Sequence, residues 1–306
     1  MADSTLTITM ADPLSYSAIC RMLSIELPPN RRQEQATRYY AMIVAGELDP
    51  DGIFAAKLDG ELVGAILTQL TPGRGAVCLP PHVSAVPFRV RVELALAQAA
   101  VDYFRERGVK VSQMLLSPEA RMSALPLERM GFRHITQLQF HCGSVKQLPP
   151  TKTNPSPALT FLPLMEPNDT FAATLFATYD GTHDCPELNG TRTAEEVIAG
   201  YDAAANGLYD GPGWVLVSQS DQPIGVLILS QPQPHTLDLG YLGLVPSARG
   251  RRFGNRLVQY VMERAANCEC ESVRLSFDAR NRPAERLYAR HGFQLVDTQD
   301  VFLWLG

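Results

Sequence analysis

The chain has 306 residues, of which 45% are hydrophobic and 19% charged, and it carries a net charge of −5. That length suits two domains of about 150 residues, each with enough apolar residues for its own core. An acidic chain of this kind excludes nucleic acid or an anionic membrane as its main partner, and no apolar run approaches the ~20 residues that span a bilayer.

Residues 1–20 show no basic start followed by an apolar run, so no secretory signal is expected. Cys20, Cys78, Cys142, Cys185, Cys268 and Cys270 are scattered, without Cys-x-x-Cys spacing. Reduced thiols in a cytoplasmic compartment, and no metal, are the expectation. In the first half, a strand, the turn Leu58-Asp59-Gly60-Glu61 and a second strand through Gly64 come in order. Pro80, Pro81 and Pro87 then interrupt the pattern before an apolar helix over 92–104. That helix reads as core.

Residues 143–157 hold four prolines and few apolar residues, which suits an extended linker. The predicted division is therefore a domain over 1–145, a linker over 146–157 and a domain over 158–306. The two halves repeat one another. Gly64 and Gly225 are 161 residues apart, and so are Gly131-Phe132 and Gly292-Phe293. Two copies of domain length mean tandem domains.

The second half is predicted to open with a strand over 159–164 and a helix over 168–178. A polar loop over 179–190 follows, then a capping box of Thr193 and Glu196 that starts another helix. A hairpin forms about Asp221-Gln222-Pro223, and a strand over 236–245 leads into Pro-Ser-Ala-Arg249-Gly250-Arg251-Arg252-Phe253-Gly254-Asn255. Leu257, Val258, Val261, Met262 and Ala265 recur at helical spacing, so a helix begins near Gly254. A strand, a glycine-containing basic turn and a helix N-terminus together make an anion site, because the first N–H groups of the helix lack partners and its dipole is positive there. The nucleotide phosphate loop and the dinucleotide fingerprint are both absent. Val273, Leu275 and Phe277 then alternate as a half-buried strand, followed by Asn281, a helix begun by Pro283, and Gly292 at its end. His291 is expected to cap that helix as a cation matched to its dipole.

Two of these stretches resemble the GNAT acetyltransferase superfamily. Leu244-Val245-Pro246 followed by Arg249 and Gly254 resembles its pyrophosphate loop, with Arg252 standing where the family's first glycine belongs. Asn281-x-x-Ala284-x-x-Leu287-Tyr288, followed by Gly292-Phe293, resembles its second motif. The resemblance covers residues 159–306 and, more weakly, the first half. It implies an α/β (α+β) fold of two tandem domains, each a mixed, mostly antiparallel twisted sheet flanked by helices.

The resemblance also implies acyl transfer, with acetyl the expected group, from acetyl-coenzyme A to the amine of a small molecule or peptide. Leu244, Val245 and residues 249–255 would hold the cofactor, with Asn281 on its arm. Tyr288 would protonate the leaving thiolate. Asp238, on the strand leading to the site, is the first choice of general base, ahead of Glu187 and Asp184. His183, Asp184 and Glu187 in the polar loop would receive the amine. At the repeat offset the first half has Ala120 and Leu127 in place of Asn281 and Tyr288, so its copy is expected to be degenerate. The alternative is a coenzyme-A-binding regulatory or scaffold protein in which Arg252 has spoiled turnover.

Overall fold

The computed structural model describes residues 5–147, 158–204 and 212–306. The chain forms two compact units, one of residues up to 135 together with 300–306, the other of residues 136–299. The linker expected over 146–157 falls mostly outside the described residues.

The first unit contains β1 (Leu6–Met10), α1 (Tyr16–Leu23), α2 (Pro29–Val44), β2 (Ile53–Leu58), β3 (Glu61–Thr71), β4 (Gly75–Cys78), β5 (His82–Val83), α3 (Arg89–Glu106), β6 (Val111–Leu116) and α4 (Leu125–Glu128). Then comes β7 (Arg133–Ser144). The second unit continues with β8 (Thr160–Leu164), α5 (Asp169–Ala177), α6 (Ala194–Ala204), β9 (Trp214–Gln219), β10 (Gln222–Gln233), β11 (Thr236–Leu244), α7 (Phe253–Asn267), β12 (Ser272–Asp278), α8 (Arg282–Arg290) and β13 (Gln294–Leu305).

Each unit is a mixed sheet. Among the described residues, neighbours are antiparallel except for one parallel pair, β4 with β6 in the first unit and β11 with β12 in the second. The repeat seen in sequence is a repeat of structure, since β2 and β9, and likewise β7 and β13, start and end 161 residues apart. The hairpin turns match as well. Asp59 and Gly60 both have positive φ, as do Ser220 and Asp221, the backbone that a two-residue turn between twisted strands requires.

The domain boundaries expected from sequence need correction. The sheet of the first unit is completed by the end of the chain, where residues 300–305 of β13 pair with β6. The sheet of the second unit is completed by β7, whose residues 138–144 pair with β12. The physical reason is that periodicity identifies a strand without identifying its partner. β7 and β13 are equal in length and each follows a helix and a Gly-Phe step, so either is suited to either sheet edge.

Alternation decides which face of the second sheet meets which helix. Val215, Val217, Leu227 and Leu229 pack with Leu257, Val258, Val261 and Met262 of α7. Their strand neighbours Trp214, Leu216, Val226 and Ile228 pack with Phe171 and Leu175 of α5 on the other face. The predicted apolar stripe of α7 is thus its buried face, and each such fully buried side chain contributes roughly 1.5–3 kcal/mol. Asn168 caps α5 through Phe171 N–H at 2.9 Å, and the Thr193–Glu196 capping box forms in both directions. The corresponding core of the first unit sets Leu96, Val101 and Phe104 of α3 against Ile66, Met114, Phe302 and Trp304.

Since residues 138–144 close the second sheet, a fragment of residues 158–306 lacks the strand that satisfies one edge of β12. We expect this fragment to be aggregated or unfolded by circular dichroism and size-exclusion chromatography, whereas the whole chain is folded and cooperative. A monodisperse, cooperatively melting fragment would show that β13, which the fragment retains, takes the place of β7 beside β12.

Candidate active site

The site begins with a bulge. β10 and β11 pair in register until Ile228 meets Tyr241 and Leu229 meets Leu239, which leaves Gly240 as the extra residue. The bulge inverts the alternation of β11. Leu237 and Leu239 face the α7 core before it, Leu242 and Leu244 face that core after it, and Tyr241 joins the α5 side. It also ends the parallel pairing, since β11 and β12 are in register only from Thr236–Ser272 to Leu239–Leu275. Beyond that point β11 stays with β10 and the last residues of β12 stay with β7. The two strands part.

A cleft of about 630 Å³ occupies the gap, bounded by the end of β11, the N-terminus of α7, α8 and the loop after α5. Gly243 lets the loop side approach, because a Cβ there would lie 2.6 Å from Thr178 Oγ1 and 2.6 Å from Tyr241 Cε1. Thr178 Oγ1 and Tyr241 Oη are 2.7 Å apart.

The basic turn lies at one end of the cleft. Leu244, Arg249, Gly250, Arg252, Phe253, Gly254 and Asn255 all line it, whereas Val245 and Arg251 do not. Val245 N–H is spent on Ile224 O at 2.9 Å, and the Arg251 guanidinium lies 4.8 Å from the centre of the Phe253 ring. Arg252 caps α7 in the left-handed region at φ +65°, which costs a non-glycine residue roughly 1–2 kcal/mol. The N–H groups of Gly250, Arg251, Arg252, Phe253 and Gly254 have no acceptor among the described residues. Gly250, at φ +73°, has open space where a Cβ would stand, and a Cβ on Gly254 would lie 3.0 Å from Leu287 Cδ2.

Arg249 faces inward. Its Nε donates to Leu244 O at 3.0 Å, and its two terminal nitrogens donate to Gly181 O at 3.0 Å and Thr178 O at 2.7 Å. It ties the turn to the loop after α5, and the backbone remains to hold an anion. Arg286 and Arg290, four apart on α8, also line the cleft and escape the sequence reading. Their signal is the i, i+4 spacing with Tyr288 between them.

Asn281 Oδ1 caps α8 by accepting from Ala284 N–H at 3.1 Å, and the residue lines the cleft. Tyr288 lines it too, its ring packed 5.5 Å from Phe277 and 5.6 Å from Phe293. Burial, and then the Asp184 carboxylate, push its phenol well above the ordinary range, so it stays protonated. His183 and Asp184 reach the cleft from the loop. Burial raises the Asp184 carboxyl, and Asp278 N–H donates to its Oδ1 at 2.7 Å.

Three expectations change. Asp238 does not line the cleft: it precedes the bulge, lies beside Arg274 in the parallel register, and is held by two bonds of 2.9 Å from that guanidinium. Glu187 is likewise outside the lining and is bound by both terminal nitrogens of Arg280 at 2.7 and 2.9 Å. His291 ends α8, but burial and then Arg290 lower its pKa, so it is a neutral cap whose Nε2 lies 3.3 Å from Asn255 Oδ1.

Asp278 also escapes the sequence reading. It is fully buried, receives Thr136 Oγ1 at 2.7 Å, Cys185 N–H at 3.1 Å and the Arg280 guanidinium, and is held below the ordinary range as those bonds outweigh burial. Its oxygen, the Asp184 carboxylate and the Cys185 sulfur lie within 4.8 Å of one another. They do not suit a metal, because both Asp278 oxygens are taken by donors and burial keeps the Cys185 thiol protonated.

The second unit is thus a mixed sheet parted at a parallel pair, with a turn of N–H groups that lack acceptors among the described residues at the mouth of the gap. Residues 177–293 match the model of the acetyltransferase (GNAT) family. The fold is similar along the whole chain to a GCN5-related N-acetyltransferase from Sphaerobacter thermophilus, with 18% identity over 98% of this chain and 95% of that one and a TM-score of 0.63. It is also similar to a tandem GNAT protein of the clavulanic acid biosynthesis pathway, with 14% identity over 99% and 98% of the two chains and a TM-score of 0.53. A third likeness is to the glucosamine N-acetyltransferase region of a fungal multi-domain β-N-acetylglucosaminidase, with 15% identity, 99% of this chain, 38% of that one and a TM-score of 0.62. No curated protein sequence matches. No helix among the described residues is long and apolar enough to cross a membrane.

Gly243→Ala should drive the Thr178–Tyr241 pair apart. Overpacking of this kind costs about 1–3 kcal/mol, which calorimetry would read as a Tm lower by several degrees. An unchanged Tm would mean that the loop side yields freely.

Proposed function

We propose that the second unit transfers an acetyl group from acetyl-coenzyme A to the amine of a small molecule or peptide in this cleft. The observation that carries the reading is the meeting, in one cleft, of parted strands, unpaired N–H groups, a protonated phenol and a half-buried carboxylate. The residues present suit the cofactor. The N–H groups of residues 250–254 have no acceptor among the described residues and surround a glycine with open space, Arg252, Arg286 and Arg290 add cations, and the Asn281 amide nitrogen is left for the pantetheine arm. When bound, acetyl-coenzyme A supplies an activated thioester carbonyl. Backbone groups at the end of β11, freed from β12, are available to orient it.

Asp184 takes the role expected of Asp238. It lines the cleft on the loop side, and its raised pKa brings it nearer that of an amine from which it must remove a proton. Tyr288 holds its proton at Oη for the departing sulfur. His183, beside Asp184, borders the acceptor side. Six free cysteines favour a reducing, cytoplasmic setting. In the first unit, β4 stops at Cys78 before Pro80 and Pro81, Leu127 is fully buried in the core, and Ala120 is exposed. These features support a copy without a site.

The test is a screen of spermidine, tyramine, glucosamine and peptide N-termini for consumption of acetyl-coenzyme A, with calorimetry of coenzyme A on the same preparation. We expect one coenzyme A per chain. Tyr288→Phe keeps the ring and should lower kcat by about 100- to 10 000-fold while leaving coenzyme A affinity unchanged. Binding without turnover of any amine would favour the regulatory or scaffold alternative, and no binding at millimolar coenzyme A would end both readings.

Asp184 gives a prediction in pH. A base must be ionised, so kcat/KM should fall with acid at a pH above the ordinary carboxylate range, and Asp184→Asn should lose both this limb and about 100- to 10 000-fold in rate. A folded-state pKa above the unfolded one means stability is greatest at low pH and is lost as pH rises through the folded value. The amide that replaces the carboxylate still accepts from Asp278 N–H, so the variant should melt no lower than the parent at neutral pH. A normal acid limb in Asp184→Asn would remove this carboxylate from the mechanism.

A further inference from the structure

The loop after α5 is fastened on both sides of the gap between β11 and β12. On the β11 side, Arg249 holds the carbonyls of Thr178 and Gly181. On the β12 side, Asp278 N–H donates to Asp184, Cys185 N–H donates to Asp278, and Arg280 grips Glu187 with two bonds. Between the two fastenings, Thr182, His183 and Asp184 line the cleft. Residues 181–187 therefore cross the parted strands as a strap.

We propose that the Arg280–Glu187 pair is the clasp of this strap, and that the two residues act as positioning residues that set the Asp184 carboxylate against the cleft. The proposal rests on the role given to Asp184 above. Arg280 divides its guanidinium between two carboxylates. Its Nε and one terminal nitrogen neutralise the fully buried Asp278, which would otherwise be an unpaired buried charge. That half of the arrangement belongs to stability. The Glu187 half does not, because the Glu187 and Arg280 side chains are 31% and 44% exposed and an exposed pair adds little. What the Glu187 half supplies is geometry. A bidentate pair fixes the distance and the plane of the segment that bears it, and Asp184 lies three residues before Glu187. The clasp is also on the same turn as Asn281, so the acceptor strap and the cofactor-arm residue share one anchor.

Asp184 reports on the strap through its own titration. The groups that face it are Asp278 and Arg280 on the β12 turn, the Cys185 thiol beside it, and the Tyr201, Tyr241 and Tyr288 hydroxyls. Glu187→Gln removes the clasp and leaves Asp278 its Arg280 partner. The whole chain, labelled with carboxyl-13C aspartate, would be titrated by NMR, the Asp184 resonance being assigned by its loss in Asp184→Asn. In the parent, this carboxyl should titrate above the ordinary range. In Glu187→Gln it should move down toward that range as water reaches it.

Amides of residues 181–187 should exchange about two- to fivefold faster in the variant, while those of α7 and β11 should not change. Calorimetric binding of coenzyme A should be unchanged, since its cradle is untouched. An Asp184 titration that stays in place in Glu187→Gln overturns the clasp, even if the strap exchanges faster. Failure of the parent to bind coenzyme A would instead overturn the function proposed above, so the two failures are distinct.

Discussion

The parting of β11 from β12 after Leu239 is the constraint on which the second unit depends. A parallel pair that stops short leaves backbone donors and acceptors without a ladder, and a buried group left in that state costs about 1–3 kcal/mol. The chain accepts this because the bulge at Gly240 keeps β11 paired with β10 while it inverts the inside and outside of the strand. The inversion brings Leu242 and Leu244 back onto the α7 core and sends Tyr241 to Thr178 on the opposite face. The gap is therefore held open by packing on both of its sides. Arg249 and Arg280, on the turns that follow the two parted strands, then each reach for the same loop.

Much of this is legible in the sequence, and the reasons divide cleanly. The stripe of α7, the capping box at Thr193, the turn before α7 and the placing of Asn281 and Tyr288 at the start and in the body of one helix are local patterns, and these elements are found where those patterns put them. The misreadings come from contacts distant in sequence. Asp238 reads as a base by its nearness to the turn, but Arg274, brought beside it by the parallel register, claims the carboxylate. Arg249 carries a charge that suits phosphate, yet the carbonyls of Leu244, Gly181 and Thr178 occupy it. Glu187 and Arg280 are 93 residues apart, and nothing in either stretch names the other. The bulge leaves one trace, a glycine within an apolar strand, and a glycine there can equally mark a tight bend or the close approach of another backbone.

The two units illustrate what a shared fold does and does not carry. Both begin their central helix after a left-handed non-glycine residue, Phe88 at φ +67° in one and Arg252 at φ +65° in the other. Both lay that helix on a sheet with one parallel pair. The backbone plan is common to both. The chemistry lies in what decorates it: an unbroken β11 against a strand interrupted by two prolines, and a tyrosine at the cleft against a leucine in the core.

The exchange of β7 and β13 also bears on the order in which the protein can be made. During synthesis the first unit emerges with its helices and most of its strands, but β6 waits for residues 300–305, which follow the whole of the second unit. β7 leaves the ribosome long before β12 exists to receive it, and by length and pattern it is an acceptable partner for β6 in the meantime. The nascent chain therefore passes through a stage at which the edge of the first sheet has a near-equivalent strand at hand and the correct one has not yet been made. Completion of either unit is then a choice between two similar strands, settled only once residues 300–305 have been made.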